Sequence, residues 1–150
     1  MQRNWRSATR WIGFLLASAF GVCLFSCGSK EIKPLPQEQI HIMKVASLYA
    51  SYRQANRKPP ANTKEFAAWA KTLKADQLSK FGITDVNEAL VSPRDGEPYE
   101  VAPVSNERMG MSRVVIYEKT GVGGKHMKAS SMGSSGEISH EDLTKIVPNL

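Results

Sequence analysis

The chain has 150 residues, 20 lysines and arginines against 14 aspartates and glutamates, and only two cysteines. That length suits one modest domain, and 41% hydrophobic with 23% charged residues excludes a disordered or wholly membrane-embedded chain. The net charge of +6 does not make a nucleic-acid protein: outside residues 1–26, 17 basic and 14 acidic residues are dispersed along the chain, too small a surplus to track phosphates.

Residues 1–26 read as a signal peptide. Arg3, Arg6 and Arg10 form a basic head without any acid, and Trp11 to Phe25 is an uncharged, mostly apolar run of 15 residues. As a helix it would span roughly 22 Å, short of the ~30 Å hydrocarbon core. Basic head, short apolar stretch and small residues together predict secretion and cleavage. The run ends in Leu24-Phe25-Ser26-Cys27, which resembles a bacterial lipobox. That resemblance implies a diacylglycerol thioether on Cys27, with cleavage by signal peptidase II just before it. Cys23 leaves with the signal peptide, so the mature domain has neither a free thiol nor a disulfide, and packing alone must stabilise it. The same resemblance implies, from Gly28 where an Asp would favour retention in the inner membrane, export to the outer membrane.

Residues 27–37 are then the lipidated cysteine and its tether, interrupted by Pro34 and Pro36. Residues 38–150 form a single α+β domain. Ile42, Val45, Tyr49 and Tyr52 recur at spacings of three and four, which predicts an amphipathic helix over 38–56, its stripe widened by Ile40, Met43 and Leu48. Pro59-Pro60 stops it. Asn62 and Glu65 fit a capping box for a second helix over 63–74, with Phe66, Trp69, Ala70 and Leu73 inward. Leu78 and Phe81 follow, and Gly82 is a C-terminal stop.

After Leu90 the period changes. Ser92-Pro-Arg-Asp-Gly96 is a turn. Strands are expected at Tyr99–Val104, Arg113–Glu118 and His126–Ser131, with turns at 121–124 and 133–136 and a short pairing at Glu137-Ile138. Ser139 caps a last short helix, with Asp142 reaching back. Val45, Tyr49, Phe66 and Leu73 are expected to pack against Val115 and Tyr117 on an antiparallel sheet of three or four strands.

The order of Asn56-Arg-Lys-Pro-Pro60, a short helix, Ser92-Pro-Arg-Asp-Gly-Glu-Pro-Tyr99, Val115 to Gly124, and Ser139 to Leu143 resembles the soluble domains of type II secretion pseudopilins and related small exported proteins. The resemblance covers roughly residues 38–147. It implies a helix packed on a small antiparallel sheet, with the Pro-Arg-Asp-Gly turn leading into the first strand. Pseudopilins begin with a long apolar helix bearing a glutamate, which the signal peptide and Cys27 replace here, so filament assembly is not implied. Some relatives bind calcium through acidic residues of a C-terminal loop. The corresponding Met132–Gly136 contains no carboxylate, and calcium is not expected.

The residues that carry chemistry form no recognisable site. His41, His126 and His140 lack metal-ligand spacing, and Glu141 and Asp142 beside His140 read as a solvated cap. Gly121-Val-Gly-Gly-Lys-His126 lacks the remaining positions of a phosphate loop and reads as a hairpin turn. Ser130, Ser131, Ser134 and Ser135 lie outside any Gly-x-Ser-x-Gly elbow, and nothing marks Glu97 and Glu100 as paired acids. Met109, Met111, Met127 and Met132 are expected in the core, because strand alternation separates His126 from Met127 and so opposes a copper site. Arg53, Arg57 and Lys58 suit a helix C-terminus, although they could also meet acidic lipid or polysaccharide. The expected function is a non-catalytic, membrane-anchored envelope lipoprotein without cofactor or metal, its partner an envelope protein or polysaccharide. The alternative is an envelope enzyme or copper carrier with an unrecognised site.

Overall fold

Helix α1 (Gln37–Asn56) is the element around which the rest is arranged in the computed structural model, which describes residues 33–103, 113–148 and 150. Its inner stripe is the expected one: Ile42, Val45, Leu48, Tyr49 and Tyr52 are buried, together with Ala46. Ile40 and Met43 do not widen it. At about 100° per residue they fall on the side opposite Tyr49, and both remain partly exposed. The helix ends at Asn56, where Arg57 turns left-handed with φ of 54° ahead of the two prolines.

The Asn62 side chain caps α2 (Thr63–Ala70) by accepting the Glu65 N–H at 2.9 Å. Glu65 reaches back to the N–H of Ala61 at 2.8 Å, one residue earlier than a capping box requires. The helix expected over 63–74 ends early, at Ala70. The hydroxyl of Thr72 donates to the Trp69 carbonyl, and the Thr72 and Leu73 N–H groups tighten onto Trp69 and Ala70, a three-residue closure that ends an α-helix. A separate helix α3 (Ala75–Ser79) comes next, its start fixed by the Gln77 side chain accepting the Lys74 N–H. Gly82, at φ of 66°, then stops the chain as expected. A further short helix, α4 (Val86–Ala89), is capped by Asp85.

The sheet is an antiparallel meander of β1 (Tyr99–Val101), β2 (Val114–Glu118), β3 (Lys125–Ser130) and β4 (Ser135–Ser139), in that spatial order. The architecture is α+β. Helix α5 (His140–Ile146) closes it, and the Ser139 hydroxyl accepts the Asp142 N–H at 3.1 Å. One sheet face shares its core with α1 through Val101, Val115, Ile116, Met127 and Ala129. The other holds a smaller cluster of Ala102, Val114, Tyr117, Leu143 and Val147.

Tyr117 therefore lies on the opposite face from the one expected. Strict alternation puts Val115 and Tyr117 on the same side, but a register shift between Val114 and Ile116 interrupts the β2–β3 ladder. Such a bulge reverses the sidedness of the strand residues beyond it. Val115 and Ile116 then both serve the main core. Leu73 is only partly buried at its edge.

Candidate functional site

The most concentrated polar chemistry lies where the Ser92–Gly96 turn meets the sheet. Glu118, at the end of β2, has a fully buried side chain. Its Oε1 accepts the Ser92 hydroxyl at 2.6 Å and its Oε2 accepts the Met127 N–H at 2.7 Å. Arg94 brings a guanidinium nitrogen within 3.7 Å of Oε2 and within 3.2 Å of Glu137 on β4. Asp95 in the same turn accepts the Gly121 N–H at 2.8 Å. Thus one turn is fastened directly to β2, β4 and the β2–β3 loop, and Glu118 links it on to β3. Burial pushes the neighbouring Tyr99 phenol well above its ordinary value, the Ser92 hydroxyl opposing that and the negative charge of Glu118 adding to it.

Two histidines 14 residues apart complete this region. His126 is buried, and its Nδ1 lies 2.8 Å from the Glu118 carbonyl oxygen. A carbonyl only accepts, so Nδ1 carries a proton. The opposite nitrogen, Nε2, is 3.0 Å from Nδ1 of His140, with the rings stacked at 5.2 Å between centroids. The facing nitrogens share one proton. Gly121 makes room for this pair: its φ is 68°, and a Cβ there would run into the Lys125 carbonyl and the His126 ring.

Serine, glutamate and histidine are together, but not in the order that nucleophilic catalysis needs. A base must take the serine proton directly. Here the serine donates to the glutamate, while the histidine bonds that glutamate's backbone. Ser92 is also buried. Both carboxylate oxygens and both His126 nitrogens are used internally, which makes the cluster a fastening.

The other expected positions are scattered. His41 sits at the α1–α4 contact, donating from Nε2 to the Ala89 carbonyl at 3.0 Å. His140 is not merely part of a solvated cap, although Glu141 and Asp142 do pair with Lys145 at 2.9 and 3.0 Å. Those contacts hold Asp142 below the ordinary carboxylate value, its bonds from Lys145 and Ser139 being the causes. Met127 is buried, but Met132 is 80% exposed and fills no core. It stands at the tip of the β3–β4 turn. His126 and Met127 belong to opposite sheet faces, so no shared copper site forms from them. Among the described residues, no three His, Cys, Asp or Glu side chains are grouped to hold a metal ion. Glu100 accepts the Thr63 hydroxyl, which itself accepts the Val101 N–H at 2.9 Å.

Arg53, Arg57 and Lys58 line an exposed groove with Pro59 at the end of α1. A second groove, largely apolar, is walled by Leu35, Ile40, Met43, Lys44, Ser47, Lys80 and Phe81. Cys23, Cys27, Gly28, Met109 and Met111 lie outside the described residues. Among the described residues no helix is long and apolar enough to cross a membrane. No protein-family model matches the chain, and no curated protein or solved structure matches it either.

Proposed function

We propose that this protein is a lipid-anchored component of a bacterial envelope, its folded domain a non-catalytic, pseudopilin-like binding or assembly module. The observation that carries this reading is Leu24-Phe25-Ser26-Cys27 at the end of a 15-residue apolar run that follows a basic head. A folded core has no use for that arrangement, whereas a lipoprotein precursor needs each part of it. Two or more acyl chains on one residue hold a protein firmly to a bilayer, at about 0.8 kcal/mol per buried CH₂.

The domain's helix-on-meander plan supports the pseudopilin-like half of the reading. So does the Ser92–Gly96 turn, which leads into β1 and is tied to β2 and β4. The absence of catalysis rests on the internal use of Ser92, Glu118 and His126. Membrane fractionation of wild type, Cys27→Ser and Cys23→Ser tests the proposal. Wild type and Cys23→Ser sediment with membranes as processed protein. Cys27→Ser, lacking the acyl acceptor, accumulates as precursor or is released soluble. Equal membrane association of processed Cys27→Ser would falsify the anchor.

A further inference from the structure

Helix α1 has apolar residues on two sides, and only one of them faces the sheet. On the outer side, Ile40 and Met43 join Leu35 and Phe81 around the groove that Lys44 and Lys80 flank. Leu35 is 51% exposed. Met43 and Ser47 also wall an adjoining groove whose far side is the 130–133 turn, where Met132 stands exposed. Two of the three large hydrophobic side chains exposed among the described residues thus border one continuous strip. Two lysines and no carboxylate belong to the walls of the first groove. Glu38 faces away, in a cleft with Arg94 and Glu137.

We propose that this strip is the domain's membrane-resting face, with Leu35, Ile40, Met43 and Phe81 against the interfacial region and Lys44 and Lys80 on anionic phospholipid headgroups. The inference rests on the lipid anchor at Cys27. Five residues lie between Cys27 and Lys33, where the described chain starts, and the six residue steps reach at most about 21 Å when fully extended. A domain of this length is roughly 35 Å across, so the tether is shorter than the body it holds. The end bearing Leu35 and the start of α1 is therefore kept at the bilayer. Apolar side chains ringed by lysines match an interface with anionic lipid, and each lysine near such a surface strengthens the contact by about fivefold.

The test uses the full lipidated protein in vesicles of phosphatidylethanolamine and phosphatidylglycerol. With the Cys27 sulfur in thioether linkage, Ser47→Cys or Glu141→Cys introduces the one thiol available to a fluorophore. Ser47 is in the strip, and Glu141 is on α5, across the sheet. The label at 47 is expected to be shielded from an aqueous quencher and quenched from the lipid phase, the label at 141 the reverse. Adding Lys44→Glu and Lys80→Glu, or using phosphatidylcholine alone, removes that shielding by about thirtyfold while the protein stays on the vesicles. Equal aqueous exposure at 47 and 141 on vesicle-bound protein overturns the proposal and leaves the anchor standing. Shielding at 47 that persists in detergent and grows with protein concentration also overturns it, by showing a second copy in the groove. Protein that fails to bind vesicles and has an unmodified Cys27 overturns the anchor itself, and this face with it.

Discussion

On the α1 side of the sheet, Val115, Ile116, Met127 and Ala129 share one large apolar cluster with Ile42, Val45, Tyr49 and Phe66. On the α5 side the apolar cluster is small, five buried residues with Ile138, Ile146 and Leu150 at its edge, and beside it lies the hydrogen-bonded His126–His140 pair. The first face gains from area removed from water, which is non-directional and tolerates adjustment. The second relies more on hydrogen bonds, which contribute little net stability when made but cost much when one partner is lost. The two faces should therefore fail differently.

Truncating Phe66 to Ala removes a fully buried ring that meets Tyr49, Tyr52 and Trp69 edge-on or stacked. The expected loss is about 4 kcal/mol, read from urea denaturation of the detergent-solubilised mature protein. Glu118→Ala comes next, at about 3 kcal/mol, because the Ser92 hydroxyl and Met127 N–H are left buried without an acceptor. Should that variant match wild type, the fastening role of Glu118 is wrong. Leu143→Ala, in the smaller cluster, is expected to lose about 2 kcal/mol. Its hydrogen exchange should rise in α5 and β4 before the rest, since that face can open locally. A uniform rise across all elements would mean that the two faces open as one.

The smallest effect sits at the rim of the α1 face. The Tyr52 hydroxyl donates to Glu65. That bond, then the Ala61 N–H and the charge of Lys58, hold the Glu65 carboxyl below its ordinary value of 4.5. A lowered value in the folded state means stability that is present above the unfolded value and lost as pH falls through the folded one. Wild type should thus exceed Glu65→Gln in stability at neutral pH, with the difference fading below about pH 4.5. Tyr52 is the mirror case. Its bond to Glu65, then burial, push it up to about 12, so its share persists to pH 10 and disappears as pH rises through 12. A pH-independent difference between the two proteins would remove the pair from the account.

The same contrast explains how much is legible in the sequence. The α1 stripe, the Asn62 and Ser139 caps, the Gly82 stop and the Ser92–Gly96 turn are local patterns, set within a few residues by periodicity or backbone conformation. Ile40 and Met43 are apolar at nearly helical spacing, and only their angle about the axis separates them from the inner stripe. The side taken by Tyr117 depends on a bulge at Val115 that a continuous β-branched run conceals. Glu118 reads as a polar strand end; its burial comes from Ser92, 26 residues earlier, and Met127, across the hairpin. His126 and His140 meet only because β4 returns the chain antiparallel to β3. Lys125-His-Met-Lys128 shows no sign of that on its own. The proposed lipid anchor is the reverse case, a contiguous signal that needs no tertiary contact.

Intact-mass spectrometry of the protein taken from the membrane fraction tests the proposed anchored module most directly. The expected product begins at Cys27 and carries the added mass of its acyl chains, with Cys23 absent. An unmodified amino terminus at any other residue, on protein recovered soluble, contradicts it.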